Sequence, residues 1–384
     1  MTGYKNLFSL PADMHYLNCA TMAPLSEHVK QAGSQALDIL TCPSRLTVDD
    51  FFEPALRIRH LFSDLINAPK PEQIAIIPSV SYGMSIIARN TRLSPGDEVV
   101  VVEEQFPSAV YTWRKTCRHA GATLRIVAPP TAGHSRAESW NKSLVDAIDV
   151  RTRVVAIPEF HWTDGLRFDL KMVRERTKEV GARLVIDGTQ SIGAQPFDMQ
   201  DIQPDALLCA GYKWLTGPYG IGLAYFAEFL NDGEPLEENW ITRLGSENFS
   251  NLTQYQDSYQ PGAIRYDVGE RSNFVMLPML EAALTQITEW RPQRIANHTG
   301  KLTRTAALKI KDLGFETEDE SWRARHILGI RLPPSLKGQH LIKVLEKNRI
   351  SVSLRGQSVR ISPHIYNDMD DIHALLNVLA SQTS

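Results

Sequence analysis

Residues 183–226 read RLVIDGTQSIGAQPFDMQDIQPDALLCAGYKWLTGPYGIGLAYF. Three apolar runs stand out, at 184–186, 206–209 and 222–226. Each has the length of a buried strand and is bounded by turn-forming residues. The first runs into Asp187 and the polar cluster Gly188-Thr189-Gln190-Ser191. The second runs into Gly211-Tyr212-Lys213-Trp214, followed by a glycine-rich turn at 216–220 that lets backbone approach closely. A lysine at the end of an apolar strand, boxed by aromatics and glycines, is not the usual solvated surface lysine. Desolvation lowers the pKa of such an amine and frees it to form an imine. Asp187 taken alone would read as a turn or cap residue. Placed 26 residues before Lys213 on a neighbouring strand end, it offers that amine's site a carboxylate.

Working outward, apolar runs alternate with amphipathic stretches. Strands are expected at 74–78, 98–102, 123–127 and 154–157, with helices at 81–90, 108–119, 143–148 and 170–180. Such alternation implies βαβ units and a mostly parallel central sheet covered by helices, an α/β fold. Ligands then bind outside the carboxyl ends of the strands. After about residue 275 the texture changes to long helices and short strands, which reads as a smaller α+β C-terminal domain. The expected division is a large domain over 21–275 and a small one built from 1–20 and 276–384.

The bulk composition narrows the partners. The chain has 384 residues, 43% hydrophobic and 22% charged, with a net charge of -3, so no basic field recruits nucleic acid or an acidic membrane. Four scattered cysteines form no metal-ligand cluster and suit a reducing compartment. No signal-like or membrane-spanning stretch stands out, which makes the cytoplasm the expected location. No G-x-G-x-x-G follows the first strand, which disfavours a dinucleotide-binding dehydrogenase.

The segments IDGTQSIGAQPFD and DALLCAGYKWLTGPYGIGLAYF resemble the heart of the class V aminotransferase-fold enzymes that use pyridoxal 5′-phosphate. That group includes cysteine desulfurases, kynureninases and isopenicillin N epimerase-like proteins. The resemblance extends from Tyr16-Leu17-Asn18 to Arg360–Asn367 and implies the type I fold of such enzymes. It implies that Lys213 carries the cofactor as a Schiff base, that Asp187 pairs with its ring nitrogen and that Gln190 lies beside them. Ser81 and the amide of Val80, at a helix start, are expected to hold the phosphate. Tyr212 is expected to add a bond to it, and Phe106 to stack on the ring. His161 is expected to contact the cofactor's phenolic oxygen or to handle protons. Arg360, with Arg355 as a second candidate, is expected to grip the substrate carboxylate. The resemblance also implies a homodimer acting on a small amino acid, with Arg271 or Ser272 as candidates to reach the partner subunit's phosphate.

The chain departs from desulfurases in more than one place. Ala210-Gly211-Tyr212 stands where they have Ser-x-His before the lysine. They carry a nucleophilic cysteine shortly before the substrate arginine, and residues 350–360 here hold none. On the sequence, the leading expectation is an aminotransferase. A β-lyase cleaving a carbon–sulfur or similar bond comes next, then an epimerase, and outside enzymes a silent binding module of the same fold.

Overall fold

The computed structural model describes residues 4–130 and 136–382. Its centre is a seven-stranded sheet in the order Ile74–Ile77, Gly222–Phe226, Ala206–Ala210, Arg183–Asp187, Thr152–Pro158, Glu98–Val102, Thr123–Val127. The strand Gly222–Phe226 is antiparallel to both neighbours, and every other pairing is parallel. Both faces are covered, which explains why these strands are continuous apolar runs rather than alternating ones. Leu184 and Ile186 enter the core on one face, and Val185 enters the core on the other. Leu207 with Cys209, and Ala206 with Leu208, divide in the same way.

The covering helices carry their own start and stop signals. Pro107 opens Pro107–Ala120, and Gly121 closes it in the left-handed region. Asp169 caps Leu170–Val180 through the amides of Lys171 and Met172, and Gly181 ends it. Helices Glu27–Leu40 and Asp49–Ile66 pack on Met276–Trp290. That last helix stands at the start of the stretch expected to form the small domain. Yet it places Leu277, Leu280 and Leu284 in the core of the large sheet.

A second core surrounds the antiparallel sheet Ser353–Arg355, Ser358–Ile361, Leu328–Arg331. The strand His15–Tyr16 pairs in parallel with Ile350–Ser351, so the N-terminal segment is stitched to the C-terminal sheet. Asn18 continues this stitch by bridging to Ser362. The segment 17–23 is thereby led across the carboxyl ends of the large sheet, where Ala23 N–H bonds the carbonyl of Tyr212. Among the described residues, no helix is long and apolar enough to cross a membrane.

Candidate active site

A cavity of about 250 Å³ opens at the carboxyl ends of the large sheet's strands. Ser79, Phe106, Trp162, Asp187 and Lys213 line it, each on a loop or strand end supplied by a different strand. Of the expected site residues, Val80, Ser81, Phe106, Asp187, Gln190, Tyr212 and Lys213 all meet here.

Lys213 is 7% exposed, with its Nζ 5.6 Å from the centres of the Phe106 and Tyr212 rings. Burial pulls its pKa from 10.5 to about 8; Asp187 opposes that shift, and Arg360 and Arg355 add to it. Asp187 ends its strand and keeps its remaining exposure toward the cavity it lines. Burial raises its pKa; the bond from the amide of Thr189, at 3.0 Å, and the charge of Lys213 hold it down. Gln190 is anchored at both ends. Its amide donates to the carbonyl of Ala20 at 3.1 Å and its oxygen accepts from the Trp214 indole at 2.7 Å. The loop after Lys213 passes through Thr216 at φ 56°, a left-handed conformation that β-branched residues rarely adopt.

At the other end of the cavity, Ser79 caps the helix Val80–Arg89 by accepting from the amide of Tyr82, and its Oγ lies 2.9 Å from Ser81 Oγ. The amides of Val80 and Ser81 have no acceptor among the described residues. They are orphan donors at the positive end of a helix dipole, an arrangement suited to phosphate. Gly83 lets this helix approach the sheet: a Cβ there would lie 2.6 Å from Leu208 Cδ2.

The expectation for His161 is corrected. Its side chain is fully buried behind the cavity wall, against Trp140 and Phe168. Nε2 donates to the carbonyl of Glu103 at 3.1 Å, so Nδ1 accepts from Thr163 Oγ1 at 2.6 Å. Burial lowers its pKa, and both nitrogens are spent. The neighbouring residue faces the cavity instead. Trp162 stands edge-on to Phe106 at 5.5 Å, and its indole donates to the carbonyl of Glu104 at 2.7 Å. Glu104 itself sits at φ 51°, the turn that aims Phe106 inward.

Arg360 and Arg355 come from the C-terminal sheet and stand beside the cavity rather than on its lining, both against Trp162. Arg360 is 1% exposed and donates to Thr21 Oγ1 at 2.7 Å and to the carbonyl of Trp162. Arg355 is half-buried, 5.3 Å over the Trp162 ring, with a longer 3.4 Å contact to the same Thr21 oxygen. Among the described residues, no carboxylate pairs with either guanidinium, and the Nε of each has no acceptor. Two like charges meeting at one hydroxyl call for an anion. Thr21, on the stitched N-terminal segment, is a site residue with no sequence signal of its own. Cys19, two residues earlier, is fully buried, and its thiol is pushed up to about 12 by burial, which leaves it inert. Arg271 and Ser272 are committed elsewhere. Arg271 pairs with Asp267 at 2.5 Å, and Ser272 donates to the carbonyl of Phe51 at 2.6 Å.

The donor set fits a flat, phosphate-bearing aldehyde. It offers an amine with a depressed pKa, a carboxylate across from it, an aromatic wall and orphan helix amides, all on one cavity.

Comparison with known proteins agrees. An uncharacterized aminotransferase of Bacillus subtilis (strain 168) is 23% identical over 382 residues, 99% of this chain and 97% of that protein. A cysteine desulfurase of Enterobacter sp. (strain 638) is 23% identical over 256 residues, 66% of this chain and 61% of its own length. A solved structure of the C-DES protein with glycine covalently linked to its pyridoxal phosphate superposes with a TM-score of 0.87 at 18% identity, covering 98% of both chains. A complex of the cystine C–S lyase C-DES with cysteine persulfide gives 0.85 at 19% identity, covering 96% of this chain and 98% of that one. At these identities the structures establish the fold. The family model of aminotransferase class V matches residues 49–375, and the chain belongs to that family of pyridoxal-phosphate-dependent enzymes.

Proposed function

We infer that this protein is a pyridoxal-phosphate-dependent β-lyase that cleaves a carbon–sulfur bond in an amino acid carrying a second carboxylate, such as cystine. One observation carries this reading. Arg355 and Arg360 converge on Thr21, Lys213 lies within range of both charges, and among the described residues no carboxylate answers either. One α-carboxylate neutralises only one guanidinium. A second carboxylate answers the other by a charge-assisted bond. The likeness in fold to a cystine C–S lyase supports the same reading.

In this proposal the cofactor's aldehyde is held by Lys213, its ring nitrogen by Asp187, and its phosphate by Ser81, the Val80 amide and Tyr212. When bound, the cofactor supplies an electron sink for charge developing at the substrate Cα. Asp187 keeps a proton on the ring nitrogen through its carboxylate. Arg360 orients the α-carboxylate, and Arg355 holds the distal one. With a pKa of about 8, Lys213 has a usable uncharged fraction near neutral pH, and its Nζ takes the Cα proton. Phe106 and Trp162 wall the reacting carbon from water. Loss of the β-sulfur and hydrolysis then convert cystine and water to pyruvate, ammonia and cysteine persulfide. Among the described residues no cysteine lines the cavity, and nearby Cys19 is buried and unreactive, so the persulfide leaves as product. The enzyme works as a homodimer in this proposal, as the family resemblance implies.

Transamination is the second reading, favoured by the Bacillus relative that spans the whole chain. Incubation of the loaded enzyme with cystine, followed by coupled assay of pyruvate and ammonia, separates the two. Stoichiometric release of both supports the lyase. Conversion of the cofactor to its amine form without ammonia release establishes the transaminase instead.

A further inference from the structure

Behind the active site a polar cleft of about 900 Å³ lies where the strand end at Glu159 and the segment Gln195-Pro196 face the helix Pro292–Asp312 and the strap 319–325. Four arginines line it, at 167, 304, 323 and 325. Arg304 is answered by Glu320, with Nε to Oε1 at 2.7 Å. Among the described residues, the other three have no carboxylate within ion-pair distance. Arg323 is 5% exposed; among the described residues it donates only to Thr303 Oγ1 and its neighbour's carbonyl, and its buried Nε has no acceptor. The remaining acids in the cleft are Asp319, which bonds Ser321, and Glu159, whose carboxyl burial raises to about 7. Glu320 and Asp319 act on Arg323, and Arg167 on Glu159, only through space beyond ion-pair distance. Four arginines face three acids, so positive charge is in excess, and a buried guanidinium with no carboxylate in direct contact is costly unless an anion completes it.

The cleft is wired to the catalytic cavity. Gln195 lines the cleft, and its Nε2 donates to His326 Nδ1 at 3.1 Å. His326 Nε2 donates to the backbone carbonyl of Gln190 at 2.6 Å, and Gln190 lines the catalytic cavity. Burial holds His326 at about 3, so it is neutral and its two bonds fix a single tautomer. Trp214, next to Lys213, stands edge-on to His326 at 4.3 Å and bonds the Gln190 side chain. A shift of Gln195 therefore reaches the residues flanking Lys213 through three contacts.

We propose that this cleft binds a small polyanion, a phosphorylated or polycarboxylic metabolite, on Arg167, Arg323 and Arg325, and that its occupancy is felt at Lys213 through Gln195, His326 and Gln190. The site is distinct from the substrate arginines and does not depend on which reaction the enzyme performs.

The test uses protein loaded with pyridoxal phosphate. Inorganic pyrophosphate and citrate are titrated separately by calorimetry, while the cofactor's absorbance is followed. The expected result is saturable one-to-one binding of at least one probe, with a shift of the cofactor band at saturation. The exposed pair Arg167→Gln and Arg325→Gln, combined, should weaken that binding at least tenfold without changing the unliganded spectrum. This variant also separates the cleft from Arg355 and Arg360, which would still bind anions. Failure of both probes to bind, or equal affinity in the double variant, overturns the site. Binding with an unchanged cofactor band overturns the relay.

Discussion

Replacing Lys213 by methionine in the cofactor-free protein should stabilise it, and the size of the gain follows from burial. The amine titrates near 8 in the fold against 10.5 when free. At about 1.4 kcal/mol per pH unit, holding the charged amine in this cavity costs about 3 kcal/mol. Because the folded pKa is depressed, the unfolded chain binds more protons between pH 8 and 10.5, so the wild type gains stability as pH rises through that window. Below pH 8 the full cost is present. Lys213→Met removes the charge while keeping an unbranched apolar stem, so it should be about 3 kcal/mol more stable than wild type at pH 7. The difference should shrink above pH 8 and vanish near 10.5. Urea unfolding of both cofactor-free proteins across pH 7 to 10.5 reads this directly. A pH-independent difference would mean that packing rather than a buried charge sets the cost.

Arg355→Met should lower kcat/KM for cystine by about 10- to 100-fold, the worth of a charge-assisted bond of about 1.5–3 kcal/mol. Turnover of an amino acid with one carboxylate should barely change; equal losses on both substrates would place Arg355 on the α-carboxylate instead. Asp187→Asn should still load the cofactor but lose most of its rate, because a neutral amide cannot hold the ring proton; single-turnover absorbance measures it. His161→Phe should cost about 1–3 kcal/mol of stability by stranding the Glu103 carbonyl and the Thr163 hydroxyl. Its cofactor spectrum should match wild type, and a collapsed spectrum would return His161 to the catalytic site. Gly83→Ala should cost about 1–3 kcal/mol by driving a methyl into Leu208, as seen in thermal unfolding.

What could be read from the sequence followed the length of each element. The strands that end at Asp187 and just before Lys213 are buried on both faces, so their apolar runs mark strand, end and site together. The helix start at Val80 was legible for a related reason: an apolar strand stops at a Ser-x-Ser turn. His161 was misread because one residue decides which way a side chain points once a strand ends. Trp162 faces the cavity and His161 the core. The helices Glu27–Leu40 and Asp49–Ile66 drew no assignment; Pro54 inside the second is a breaker signal, although the buried stripe Ala55, Ile58, Phe62 and Ile66 keeps helical spacing. The stretch 350–361 hides three short strands, and the turn between the last two passes through Gly356 at φ 54°. Thr21 was invisible for a topological reason. It meets Arg360 across 339 residues of chain, a contact created by the pairing of His15–Tyr16 with Ile350–Ser351 and the bridge from Asn18 to Ser362.

Lys213 is proposed as the residue that holds pyridoxal phosphate. Borohydride reduction of the loaded protein, followed by proteolysis and mass mapping, addresses it most directly. One reduced pyridoxyl group is expected, on the peptide containing Lys213, and none on the Lys213→Met protein. A pyridoxyl group on another lysine, or no covalent adduct from protein carrying the cofactor, would contradict it.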